Sequence, residues 1–191
     1  MLRVLKYSQA LPDGFRRFDV TSRGQYGQYL SPFYLGPVCL PDGSKSIRME
    51  NAYQGCKVYE HMLDDNGEPT DEFFDYQRFM FASHKAIRHG QRGKVAYSLF
   101  NGEKLSYIEA RKQIYIPLYL QALSNNERSM EIVVSTRRAI KNMDIALVDF
   151  DGYDHKALGM SFADVVNNAD RIMGHSFVLA QAIEDESFLS L

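Results

Sequence analysis

The sequence predicts a mainly α fold of the α+β class: one compact domain over residues 1–191 with a small β element at its N-terminus. Three observations lead there. The first forty residues read as short strands broken by turn residues, the apolar period becomes helical from Met49 onward, and later segments carry helix-capping signatures. The length of 191 residues fits one domain at roughly 100–200 residues each. With 45% hydrophobic residues and a formal charge of −2, the chain is too apolar and too near neutrality for extensive disorder.

Leu2 and Val4 open a first strand and Phe18–Thr21 a second. Pro37 makes the segment from Phe33 to Leu40 an edge strand or loop, and Pro41-Asp42-Gly43 is a turn. Met49, Ala52, Cys56, Tyr59 and Leu63 then recur at three- and four-residue steps, the stripe of a helix. Six acids between Asp64 and Asp75 read as a solvated loop followed by an acidic first helical turn. Ser106 and Glu109 form a capping-box pattern, and Pro117 predicts a kink or break near Ile116. Ser124 and Glu127 are read as the cap of a helix running to about Arg138. Ile145–Val148 is a short apolar run, strand-like or a buried turn, and Ser161 with Asp164 opens a final helix carrying Phe162 to Met173.

Several classes are excluded by what is missing. No run approaches the roughly 18 apolar residues of a membrane span, and no apolar block follows the N-terminal residues as in a secretory signal. Two cysteines, Cys39 and Cys56, are too few for a secreted disulfide scaffold, so a cytoplasmic protein is expected. The five histidines show no zinc spacing, so no metal and no cofactor is expected. Gly-rich phosphate loops and the serine-hydrolase elbow are absent as well. Near-neutrality argues against a general nucleic-acid coat but leaves room for a local basic groove.

The segment Met49–Lys57 carries the richest chemistry. On a helix at about 100° per residue, Glu50 and Lys57 lie about 20° apart, with Gln54 beside both and His61 extending the line. A carboxylate, an amide and an amine would then share one face. Gly55 would let a backbone or ligand approach closely. Read by spacing alone, this is also the solvated polar face of any surface helix. Two basic groups, Lys85, Arg88, His89, Arg92 and Lys94, then Arg137, Arg138 and Lys141, read first as solvated charge and second as phosphate contacts. Asp149, Asp151 and Asp154 surround Gly152-Tyr153, where acids usually make turns but can also present a general base.

Leu30-Ser31-Pro32-Phe33-Tyr34-Leu35-Gly36-Pro37-Val38 resembles the Phe-Ser-Asn-Phe-x-x-x-Pro-Ile opening of the NADAR (YbiA-like) family. Glu50-Asn51-Ala52-Tyr53-Gln54-Gly55-Cys56-Lys57 resembles the Glu-His-x-x-Gln-x-x-Lys segment that follows it there, with Asn51 in place of the His. Leu147–Asp154 is similar to the family's Leu-Val-Glu…Asp loop, and Ile172-Met173-Gly174 is a looser match. The similarity spans about residues 30–180, most specifically in the first two motifs. Family members carry two tryptophans where this chain has none, and Tyr107 stands near the first position.

The resemblance implies a YbiA-like domain that cleaves N-glycosidic bonds. Its members remove ADP-ribose from guanine bases, reversing DarT-type DNA ADP-ribosylation. Phage-encoded members, which this chain resembles in style, would thereby counter a host defence from the host cytoplasm. Carried onto this sequence, Lys57 forms a Schiff base with the opened ribose, Glu50 moves protons, and Asp154 supplies a second carboxylate. Ser31, Phe33, Asn51, Gln54, Tyr107 and Asp149 would bind substrate, and the basic groups would hold pyrophosphate or DNA. The implied partner is ADP-ribosylated DNA or a nucleotide containing ADP-ribose, with no membrane. Two alternatives stand beside it: a hydrolase of a free small N-glycoside such as a riboflavin-pathway intermediate, and a non-enzymatic binding module.

Overall fold

A computed structural model describes residues 1–88 and 93–190. Helices take 42% of the described residues and strands about 18%, so the protein is mixed α/β rather than mainly α. Its residues group into two compact units, one made of 1–31 with 123–191 and one of 32–122. Among the described residues, no helix is long and apolar enough to cross a membrane.

The unit made from the two chain ends is built on a parallel sheet of β1 (Leu2–Lys6), β2 (Phe15–Asp19) and β8 (Asp144–Asp149), in the order β1-β8-β2. The expected N-terminal β element is therefore incomplete without a strand from the far end of the chain. Ile145–Val148, the most apolar of the three, is central, with Leu5, Ala146 and Val148 clustered against Leu11 and Phe15. A central parallel strand buried on both faces reads as a continuous apolar run, as here. Each such side chain contributes about 1.5–3 kcal/mol on burial.

Among the described residues four α-helices, α1 (Gly27–Leu30), α6 (Glu127–Ala139), α7 (Phe162–Asn167) and α8 (His175–Glu184), and a 3-10 turn at Glu186–Ser190 complete this unit. The cap of α6 is Asn126, whose side chain accepts from Ser129 N–H, not the expected Ser124. Ser161 and Asp164 do form the predicted capping box of α7, yet the expected final helix is two helices. The chain turns at Asn168–Asp170 and restarts at His175. In α8, eight of ten residues are buried, and it packs on β1, β8 and α6. Arg137 donates to the carbonyls of Ala182 and Ile183 at the end of α8 and pairs with Glu186 at 3.0 Å. It is therefore a helix-end partner and not a solvated or phosphate-binding charge, whereas Arg138 and Lys141 are exposed.

The continuous unit begins with a short hairpin of β3 (Val38–Cys39) and β4 (Lys45–Ser46) around the predicted Pro41–Gly43 turn. Next come α2 (Met49–Gly55), β5 (Lys57–Tyr59), a single 3-10 turn at Glu60–Met62, and α3 (Asp71–Ala82). The acidic stretch behaves as expected. Asp64 accepts from the N–H groups of Asn66 and Glu68, and Asp71 and Glu72 fall in the first turn of α3. β6 (Val95–Phe100) pairs antiparallel with both β5 and β7 (Glu103–Leu105). The Ser106–Glu109 capping box is present and opens α4 (Tyr107–Ala110). A π-helical turn, Arg111–Tyr115, separates α4 from α5 (Ile116–Ser124). Pro117 has no N–H for the carbonyl four residues back, and the ladder widens at once, with Ile116 N–H reaching Arg111 O.

Candidate active site

The helix expected from Met49 to Leu63 stops at Gly55, and Lys57 lies on strand β5. Glu50, Gln54, Lys57 and His61 therefore do not form one helical face. The stripe misleads because Lys57, Val58 and Tyr59 are all buried, so inward positions continue past the helix end, while pairing of Lys57 with Ser98 and Val58 with Tyr97 makes the segment a strand. His61 is on the following turn, largely exposed and 3.9 Å from Glu72.

Every residue of α2 is buried, which removes the solvated-face reading. Its ends are satisfied by neighbours within the unit. Met49 N–H donates to Leu35 O and Glu50 N–H to Pro32 O, so the segment containing Phe33 is seated on the start of the helix. At the other end, Tyr76 hydroxyl and the Gln77 amide donate to the carbonyls of Gln54 and Gly55. A Cβ on Gly55 would stand 2.8 Å from the Phe81 ring. The glycine thus admits helix α3, not a ligand.

The Glu50 carboxylate still acts electrostatically on Lys57, across the helix-to-strand step. Only 6% of Lys57 and 7% of Glu50 is exposed. Burial pulls the Lys57 ammonium down to about 8, against the opposing pull of Glu50. Lys57 Nζ lies 4.4 Å from the Tyr53 ring centroid. Gln54 donates to Glu50 Oε1 at 2.8 Å, and among the described residues its own buried Oε1 accepts no hydrogen bond. A buried acceptor left open in this way is suited to a ligand hydroxyl.

Two further residues belong here that spacing did not single out. Tyr53 packs edge-on against Tyr115 at 4.9 Å, and burial raises its hydroxyl well above the ordinary tyrosine range. Arg111, 1% exposed, lies 4.2 Å from the Tyr107 ring centroid and donates to Tyr107 hydroxyl at 2.8 Å. The charges of Arg111, Tyr107 and Glu50 all act on Tyr53, which links the arginine to the lysine. An arginine in a helical pattern reads as surface. The π-turn created by Pro117 is the one signal in the sequence that the local register changes.

The other expected residues are placed as follows. Asn51 is fully buried: its amide donates to Ser83 O and Lys85 O, and its Oδ1 accepts from Ile87 N–H. It is a strut holding residues 83–87, with both amide protons and one lone pair of Oδ1 engaged. Phe33 is half-buried, with the exposed Arg88 guanidinium 5.7 Å from its ring centroid, and Tyr107 is 45% exposed. Lys85 is exposed, Lys94 pairs with Glu60 at 2.7 Å, and His89 and Arg92 lie outside the described residues. Ser31, Asp149 and Asp154 belong to the unit made from the chain ends. Ser31 is buried at the end of α1, its N–H on Gly27 O. Asp154 accepts from Arg3 at 3.1 Å and from Ala157 N–H. Asp149 accepts from Phe150 N–H and lies 3.3 Å from His175 Nδ1, whose Nε2 is 2.8 Å from Val20 O. Both carboxylates thus have partners that fix loops within their own unit. Among the described residues no group of three or more His, Cys, Asp or Glu side chains is arranged to hold a metal ion.

Fold and site together define a mixed α/β protein with a buried, lysine-centred polar cluster at a helix-to-strand junction. The chain belongs to the family of unknown function DUF6939, which it matches over residues 4–165. That span contains the Lys57 cluster as well as strand β8. A search of the curated proteins finds no match.

Proposed function

We propose that the Lys57 cluster hydrolyses an N-glycosidic bond, with ADP-ribose attached to guanine in DNA as substrate, on a YbiA-like scaffold. The observation that carries the reading is the state of Lys57: a buried amine pulled down to about 8 by burial, within the field of the Glu50 carboxylate. At neutral pH about a tenth of such amines are unprotonated, far more than for a solvated lysine. A desolvated lysine of this kind is the usual nucleophile toward a sugar carbon at the aldehyde level of oxidation. The resemblance of residues 30–38 and 50–57 to the two NADAR motifs supplies the reaction class, and the contact of Pro32 and Leu35 with the start of α2 supports treating those motifs as one piece.

In the proposed course, neutral Lys57 Nζ bonds to the anomeric carbon as the bond to guanine nitrogen breaks. Glu50 takes a proton from the attacking nitrogen and passes it to the departing base, and opening of the ribose ring, its oxygen taking up a proton to become a hydroxyl, leaves an iminium. Water adds to the imine carbon, the amine leaves, and ADP-ribose is released, so the sum consumes one water. Gln54 Oε1 accepts from a ribose hydroxyl, and Arg111 lends positive charge near the pyrophosphate. Asp149 and Asp154, engaged elsewhere, are assigned no step. In a phage this activity would undo DarT-type modification of the phage genome.

The test is release of ADP-ribose from an oligonucleotide carrying ADP-ribosylated guanine, with Lys57→Ala and Glu50→Gln alongside. Release by the wild type and its loss in either folded variant are expected. Absence of release at high enzyme concentration would refute the DNA reading. Activity on a free N-glycoside in that case would retain the chemistry and replace the substrate.

A further inference from the structure

The unit made from the chain ends carries a groove of about 470 Å³ between strand β2 and helix α6, within the range of small-ligand clefts. Sheet register decides what faces it. Arg16 pairs with Ile145 and Phe18 with Leu147, so their side chains share one face of the sheet. Arg16, Phe18 and Ile145 all line the groove. Arg17 is one step out of phase: its guanidinium is engaged on the opposite face, 4.7 Å from the Tyr7 ring centroid, and takes no part. Helix α6 forms the other wall with one stripe, Arg128, Ile132, Ser135 and Ala139, at steps of three and four residues.

Two kinds of surface meet in this groove. Ile132 and Ile145 are buried and make an apolar floor. Beside them Phe18 and Tyr26 are half-buried, their ring centroids 5.0 Å apart. The charged part consists of Arg16, Arg128 and Glu131. Arg128 lies within the field of the Tyr26 hydroxyl, which puts a cation beside the ring pair. It also pairs with Glu131 at 2.6 Å, but both partners are more than half exposed, and such ion pairs are weak. Arg128 can therefore exchange Glu131 for a bound anion. Arg16 is exposed and forms no ion pair among the described residues.

We propose that this groove binds a small aromatic anion. Its planar ring lies on Phe18 and Tyr26 over the isoleucine floor, and its carboxylate or phosphate lies against Arg16 and Arg128. A guanidinium fork suits either group, and ring-on-ring contact supplies the apolar share of the affinity. The volume suits a ligand of one or two rings. Two cations against one acid suit a single anionic group. The inference does not rest on the Lys57 reading, because every residue it uses is in the other unit and binding needs no reaction.

Fluorescence titration of 1-naphthyl phosphate with the full chain tests it, since a protein without tryptophan leaves the naphthyl emission unmasked. The probe is expected to bind at least about tenfold more tightly than 1-naphthol or inorganic phosphate used as competitors. Competition by 1-naphthoate tells whether carboxylate or phosphate is the better fit. Arg16→Ala should weaken binding of the naphthyl phosphate about tenfold and erase its advantage over 1-naphthol. Tyr26→Ala should weaken it about fivefold, and the Tyr26 side chain makes no capping bond to α1 that the substitution would remove. Lys141→Ala, which removes an exposed charge that does not line the groove, should change it by less than about twofold. Urea midpoints close to wild type establish that each variant is folded. Any of four results overturns the proposal: no binding of the naphthyl anions, 1-naphthol or inorganic phosphate binding as tightly as they do, full affinity in folded Arg16→Ala, or equal weakening by Lys141→Ala.

Discussion

Replacing Lys57 by Met should alter how stability depends on pH, in a way set by the burial of one amine. The folded state holds the Lys57 ammonium at about 8 instead of 10.5, a difference of about 3 kcal/mol against the folded, protonated form. Below about pH 8 both states keep the proton, and the folded protein bears that cost in full. Between about 8 and 10.5 the unfolded chain binds more protons than the folded one, so the lysine makes stability rise with pH. From about pH 7 to about pH 9.5, roughly 2 kcal/mol of the cost is relieved. Cys56, pushed up to about 12 by burial, and Tyr53 act in the opposite sense over the same range. They are present in both proteins and cancel in the comparison. Urea unfolding followed by far-UV circular dichroism at several pH values gives the wild-type-minus-Lys57→Met difference, which should grow by about 2 kcal/mol in favour of wild type. A difference that stays constant across that range would refute the buried-amine argument and, with it, the basis for Lys57 as a nucleophile.

Other consequences are equally direct. Asn51→Ala removes three hydrogen bonds from a fully buried side chain and should cost about 2–4 kcal/mol in urea unfolding; a loss under about 1 kcal/mol would mean the 83–87 segment is held by something else. Gly55→Ala should cost about 1–3 kcal/mol because its Cβ meets the Phe81 ring, and Phe81→Leu in the same chain should return part of it. The Ser106 bonds hold the Glu109 carboxyl below the usual carboxylate range, so Ser106→Ala should move its NMR titration upward toward that range.

What could be read from the sequence was what is decided locally. The capping boxes at Ser106 and Ser161 involve residues three apart, and both formed. The Ile145–Val148 run is apolar enough to read as a strand or a buried turn, and it is the central strand, with β1 and β2 as partners the sequence does not indicate. Some misreadings are local, as at the α6 cap and the break after α7, and others are decided by distant chain. Helix α2 ends where Phe81 occupies the space beside Gly55 and where β6 offers hydrogen bonds to Lys57–Tyr59. Asn51, read as a ligand contact, is claimed by carbonyls more than thirty residues away. Arg137, read as a free charge, is claimed by the end of α8. The electrostatic influence of Glu50 on Lys57 was anticipated, but as two positions on one helix face and not across a helix-to-strand step.

The sheet order β1-β8-β2 also dictates a schedule during synthesis. The outer strands are made first, and within this sheet both depend on a strand that emerges only after everything between Asp19 and Asp144 has been translated. At ribosomal speeds that is a wait on the order of ten seconds. Residues 32–122, by contrast, form their unit from one uninterrupted stretch that is complete before β8 exists. The chain therefore assembles from the middle outward, and a ribosome halted before Asp144 displays two strands with open hydrogen-bonding edges, the form most exposed to aggregation and to chaperone capture.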